Sequence, residues 1–235
     1  LSTKGVLYSQ IGPKEGPCLH LFNTHLQATY NNEYQPTNKS DHMNFTARLK
    51  QIEEVRKIVD GCLSENSGLY QKGPDNFRDL VLIVGDFNVN SRGQPLPTKA
   101  FWEVDSTRHI KTATFLEYEY LVSVLSKQGR DTLQDLAFEA YGFHPTTFGD
   151  VVHLEDGTRQ PKEKSLTAVL ERMSEQSLDY IFRLIPHGTD PNICGFDLSA
   201  KSCKVNEFTV EEDHRFTQLS DHYGLECSFR VREGN

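Results

Sequence analysis

Four short segments set ionisable or amide side chains directly beside apolar runs: Asn23-Thr24-His25-Leu26-Gln27, Gly85-Asp86-Phe87-Asn88, Ser177-Leu178-Asp179-Tyr180 and Ser220-Asp221-His222-Tyr223. A carboxylate or imidazole in such a place is costly to bury unless it is paired, hydrogen-bonded or bound to a metal. Each segment alone has a plain structural reading. Gly, Asp and Asn are ordinary turn residues, His25 could be a core histidine bonded to backbone, Asp179 could be tied to backbone amides, and Asp221-His222 could cap a helix. Taken together, carboxylates and imidazoles at strand ends have a common chemistry: they can hold a hard divalent ion, position a water and stabilise a pentavalent phosphate.

That chemistry requires elements to bring the segments together. Val6 to Ile11 and Cys18 to His25 read as a hairpin, punctuated by Gly12-Pro13 and Gly16-Pro17. Asp41 caps a predicted helix in which Phe45, Leu49, Ile52, Val55, Val59 and Leu63 recur at three- and four-residue spacing, so that one face lies on a sheet. Leu80 to Val84 is an apolar run too short for a helix and fits a strand buried on both faces, which puts Asp86 at its end. Ser91 to Thr98 reads as a loop, and Glu117 to Lys127 and Thr132 to Ala140 as helices. Residues 143–175 form a long polar excursion of the kind that often carries function. Leu178 to Ile185 and Leu225 to Val231 read as late strands. The expected class is α/β (α+β), in a single domain over residues 1–235.

The bulk properties narrow the choice of partner. With 235 residues and 37% hydrophobic content the chain can bury one ordinary core. Its net charge of -8 and the dispersal of its basic residues disfavour a nucleic-acid partner held along a basic groove. No apolar run approaches the roughly 20 residues needed to cross a bilayer. The 5 cysteines show no zinc spacing; Cys194 and Cys203 could close a short loop in an oxidising compartment. Asn38-Lys39-Ser40 and Asn44-Phe45-Thr46 match the glycosylation sequon. Secreted and cytoplasmic locations are equally open on these grounds.

The order and spacing of the four segments resemble the endonuclease/exonuclease/phosphatase superfamily: a strand ending in a His motif, a strand ending in Gly-Asp-Asn type residues, an aspartate in a late strand and a terminal Asp-His. The Asn23 to Ala28 form and Ser220-Asp221-His222-Tyr223 look most like its neutral sphingomyelinase and sphingomyelinase C branch. The resemblance implies a four-layer α/β sandwich of the deoxyribonuclease I-like type. It also implies a metal-dependent phosphodiesterase that hydrolyses a phospholipid such as sphingomyelin to ceramide and phosphocholine. By the same resemblance His222 is the general base, with Asp221 orienting it or joining the metal site, and Asp86 positions the nucleophile or holds the metal. Asn88 bonds a phosphate oxygen, His25 stabilises phosphoryl charge, and Asp179 fixes an active-site histidine. The expected metal set is Asp86, Asp221 and His222, and Mg²⁺ is the expected ion because oxygen donors suit a hard cation.

The family's first half supplies an asparagine and a metal-binding glutamate ahead of the His motif, which here is already reached at position 25. The N-terminal half is therefore expected in the same parent chain, and these residues alone would form an incomplete site. Two other readings compete: a Mg²⁺-dependent nuclease or phosphatase acting on a soluble phosphoester, and a non-catalytic binding or structural relative. Contact with a membrane surface follows from a phospholipid substrate.

Overall fold

A computed structural model describes residues 4–13, 16–28, 39–64, 79–92, 117–169, 172–190, 192, 194–210 and 217–232. The chain runs β1 (Val6–Ile11), β2 (Leu19–His25), α1 (Lys39–Leu63), β3 (Leu80–Asp86), α2 (Glu117–Leu125), β4 (Thr132–Asp135) and α3 (Leu136–Tyr141). Short strands follow: β5 (Phe148–Gly149), β6 (Val151–His153), β7 (Arg159–Pro161) and β8 (Glu175–Gln176). The long β9 (Asp179–Ile185) precedes β10 (Phe196–Leu198), β11 (Lys204–Asn206), β12 (Gly224–Glu226) and β13 (Phe229–Val231).

The central sheet has the order β1-β2-β3-β9-β4. β2 and β3 pair in parallel, and the other neighbours are antiparallel. Parallel pairing of β2 with β3 needs a crossover, and α1 lies between them in sequence. The 3.6-residue apolar spacing of α1 places Leu49, Ile52, Val55 and Val59 in one core with Phe22, Val81, Ile83 and Phe182 of the sheet. Alternate side chains of the same strands, Leu19, Leu80 and Leu82, enter a second cluster with Leu136, Cys194 and Phe196. This is why β3 is apolar at every position from 80 to 84: both of its faces are covered. Each such side chain contributes about 1.5–3 kcal/mol when fully buried. The observed class is the α/β one expected.

Two buried arginines fasten the helices. Arg48 of α1 donates to both carboxylate oxygens of Glu117 at the start of α2 and, at 2.7 Å, to the carbonyl of Gln27 just past β2. Arg56 donates to the Leu125 carbonyl and to the Asp131 carboxylate. Removing one partner from a buried pair of this kind typically costs about 3–5 kcal/mol, because the other charge is left without compensation.

Several expectations need correction. α1 begins at Lys39, so Asp41 lies inside its first turn and does not cap it. Thr132 to Ala140 is not one helix: Thr132–Asp135 pairs with the edge of β9, and the Asp135 side chain accepts from Phe138 N at 3.1 Å, so helix begins only at Leu136. Leu225 to Val231 is two strands: the chain leaves β11 at Cys227 and takes β10 as its new partner from Phe229. The disulfide joins Cys203 to Cys227, not Cys194 to Cys203, and Cys194 is a buried free thiol in the second apolar cluster. The sequon at Asn44 falls inside α1 with its side chain buried, which closes it to glycosylation. The sequon at Asn38 and the loop residues 93–98 lie outside the described residues. The excursion over 143–175 contains β5 to β8, with β6 and β7 forming a small hairpin. Among the described residues, no helix is long and apolar enough to cross a membrane.

Candidate active site

Sheet register assembles the site. In the parallel pair, His25 is the partner of Asp86; in the antiparallel pair, Asp86 is the partner of Asp179. Three residues from three strands therefore lie in one row at the same end of the sheet. His25 Nε2 is 3.4 Å from Asp86 Oδ2, and the His25 side chain is 62% exposed, so it faces outward above a mostly buried carboxylate.

The turn after β3 shapes the rest of the row. Asp86 Oδ1 accepts from Asn88 N at 2.8 Å, and Asn88 itself takes a left-handed backbone with φ 52°. Asparagine tolerates this conformation better than most residues. Asn88 Nδ2 donates to the Leu26 carbonyl at 3.0 Å and to Asp86 Oδ2 at 3.2 Å, so here it braces the ends of β2 and β3. Two residues on, Asn90 Oδ1 accepts from Ser177 N at 3.1 Å and links this turn to the approach to β9.

His222 comes from outside the central sheet, from the segment just before β12. Its Nδ1 donates to Asp179 Oδ2 at 2.9 Å, which turns Nε2 toward Asp86 Oδ2 at 3.9 Å. The Phe148 ring packs on the imidazole with centroids 4.9 Å apart, and Ser220 Oγ accepts the His222 backbone N–H at 3.0 Å. Asp86, Asp179 and His222 each present a donor atom within 4.8 Å of the others. Asp221 is adjacent in sequence but is not in this cluster, whose second carboxylate is that of Asp179. Phe148, and Thr147 before it, are site neighbours that the sequence did not reveal. Both lie in the polar excursion, where no periodicity or motif distinguished them.

The electrostatics are those of a place short of positive charge. Burial, followed by repulsion from Asp179, raises the pKa of the Asp86 carboxyl above the ordinary carboxylate value, although His222, the Asn88 N–H and His25 pull the other way. Burial opposes charging of His222, but the hydrogen bond and charge of Asp179, with Asp86 and Asp221 beyond, win and raise its pKa above 6.5. Two carboxylates and an imidazole within this span fit a hard divalent cation, which would relieve the repulsion between Asp86 and Asp179. The two carboxylates leave room for water and phosphate oxygens in the octahedral shell that Mg²⁺ prefers, with His222 Nε2 beside such a water rather than on the ion.

Both groups hold their protons more tightly in the folded chain than in the unfolded one, so stability falls as pH rises through either. For His222 the contribution is complete below about pH 6.5 and is lost as pH climbs through the raised folded value. In metal-free urea titrations, the stability difference between the native sequence and His222→Gln should therefore shrink between pH 6 and pH 9. A difference that is flat across this range would refute the assignment.

No family model matches the chain. A sphingomyelinase of Dictyostelium discoideum is 27% identical to it over 276 residues, spanning 99% of this chain and 56% of the relative. The chain resembles the sphingomyelinase branch of the endonuclease/exonuclease/phosphatase superfamily. This sphingomyelinase-like chain thus spans about half the length of the curated relative it matches. Among solved structures, sphingomyelinase C from Streptomyces griseocarneus is 17% identical with a TM-score of 0.48, covering 98% of this chain and 58% of that one. Beta toxin from Staphylococcus aureus is 18% identical with a TM-score of 0.46, covering 96% of this chain and 57% of that one.

Proposed function

We propose that this chain supplies the His25, Asp86, Asn88, Asp179 and His222 portion of a metal-assisted phosphodiesterase site that hydrolyses a phospholipid such as sphingomyelin to ceramide and phosphocholine. The observation that carries the reading is the convergence of Asp86, Asp179 and His222 at one end of the sheet, with the imidazole held by Asp179 through Nδ1. The sequence likeness to a sphingomyelinase supports the choice of a phospholipid as substrate.

With Nδ1 committed to Asp179, the neutral His222 ring has its free lone pair on Nε2, directed toward Asp86. There it takes the proton of a water that attacks phosphorus while the bond from phosphorus to the ceramide oxygen breaks; Asp179 stabilises the imidazolium that results, and the departing oxygen takes a proton from solvent. Asp86 orients that water or shares a cation. His25, exposed above Asp86, donates to a phosphoryl oxygen and stabilises its growing charge. Asn88 reaches the phosphate only by giving up a bond to Leu26 or Asp86, which makes positioning of the two strand ends its role before substrate binds. A divalent cation at Asp86, with Asp179, Asp221 or His222 as neighbours, would supply Lewis-acid polarisation of the phosphoryl group.

The experiment is phosphocholine release from sphingomyelin vesicles by the full parent protein, with Mg²⁺ and then with excess chelator, and with duplex DNA as a competing substrate. Release that stops on chelation and restarts on adding Mg²⁺ is the expected result. Cleavage of DNA alone would transfer the site to a nuclease, and no turnover of either substrate, or release indifferent to chelator, would overturn the reading.

A further inference from the structure

Asp179 and His222 are 43 residues apart, one opening β9 and the other in the segment before β12, yet their side chains must meet at 2.9 Å. One fully buried residue is bonded to both segments. Thr147 is 0% exposed, and its Oγ1 accepts from the backbone N–H of Leu178 at 2.9 Å and of Asp179 at 3.1 Å. Its carbonyl accepts from Tyr223 N at 2.7 Å, immediately after His222, and its own N–H donates to the Gln176 carbonyl at 2.8 Å. Phe148, the next residue, forms an isolated antiparallel bridge with His222 and packs against its ring.

We propose that Thr147 is a positioning residue: its hydroxyl fixes where β9 begins, its carbonyl fixes the backbone beside His222, and together they set the Asp179–His222 hydrogen bond. The inference rests on the proposed phosphodiesterase reading for what the pair does, but its geometry is independent of that reading. A hydroxyl is needed because two backbone N–H groups converge on one buried point, where a single oxygen with two lone pairs can satisfy both. Valine has nearly the same shape and no acceptor, so Leu178 N and Asp179 N would be left buried and unpaired, and the strand start would shift to find other partners. Serine keeps the acceptor and loses only a methyl group. A displacement near 1 Å at a proton-transfer pair is enough to cost up to about a hundredfold in rate.

The test compares Thr147→Val and Thr147→Ser in the full parent protein by three readouts. These are thermal unfolding, the far-downfield proton resonance of the imidazole Nδ1–H bonded to Asp179, and kcat and KM for sphingomyelin in mixed micelles. The valine variant should lose or shift the downfield resonance and lower kcat by roughly 10–100-fold with KM within about twofold of the native value. The serine variant should restore both. If the valine chain does not fold, Thr147→Ala replaces it, since alanine and serine differ only in the hydroxyl. Retention of the native resonance and kcat by the variant lacking the hydroxyl overturns the proposal, as does serine being as damaged as valine or alanine. A parent protein that turns over no phosphodiester, but whose downfield resonance is lost in valine and kept in serine, upholds the positioning role and removes the functional reading alone.

Discussion

His222→Ala should lower phosphodiester hydrolysis by the parent protein by about 10²–10⁴-fold, the usual worth of a positioned general base. Folding near pH 9, where the charge-linked contribution of His222 is gone, should be little affected, since the side chain is 27% exposed and sits at the end of the sheet, outside both apolar clusters. Asp179→Asn should do less. An amide can still accept from Nδ1, but it carries no charge to stabilise the imidazolium, and the loss should be about 10–100-fold, as is usual for groups that orient an active-site histidine. The decisive quantity is the initial rate at saturating substrate. More than a tenth of native activity in His222→Ala would sink the assignment of the base.

The second large effect is on folding. Gly85 has φ +129°, and a Cβ built on it would stand 1.9 Å from the carbonyl oxygen of Thr24 on the neighbouring strand and 2.9 Å from Asn23 Oδ1. The exposed Asn23 side chain can swing aside, but the Thr24 carbonyl is backbone within a five-stranded sheet, and the conformation itself is one that L side chains rarely adopt. Gly85→Ala should therefore cost about 3 kcal/mol or more, combining backbone strain with overpacking, out of the roughly 5–15 kcal/mol typical of a domain. Equilibrium urea unfolding reads this directly, and a change below about 1 kcal/mol would mean that β2 and β3 can separate freely at this point. Because the wedge would fall one residue before the His25–Asp86 row, whatever variant does fold should also have a damaged site.

The parts of this architecture that were legible in the sequence are those governed by local pattern. The unbroken apolar run of β3, the helical stripe of α1 and the Gly-Pro punctuation of the β1–β2 hairpin are all local signals, and the structure places Asp86 and His25 at strand ends as those signals require. The register that aligns His25, Asp86 and Asp179 was not legible, because it depends on hydrogen bonds between strands distant in sequence. The same limit hid β4. Thr132 to Ala140 has helical composition throughout, and only the free edge of β9 draws its first four residues into the sheet. Thr147 and Phe148 were invisible for a related reason: they earn their place through backbone and ring contacts that no residue spacing encodes. The resemblance assigns Asp179 only the fixing of a histidine, and the fold brings its carboxylate within 4.8 Å of Asp86 as well as of His222, a proximity that no spacing in the sequence encodes.

The disulfide between Cys203 and Cys227 closes its ring just outside the β11–β12 pair, and His222 lies within that ring. A peptide bond hydrolysed anywhere between these two cysteines leaves the chain in two pieces that stay joined through sulfur, with β13 still tethered beside β10. Such a nicked molecule would migrate as an intact one until a thiol is added and would then release a short C-terminal fragment. Proteolysis of this segment and reduction of the bond are each survivable alone, and only in combination do they part the end of the chain from the rest.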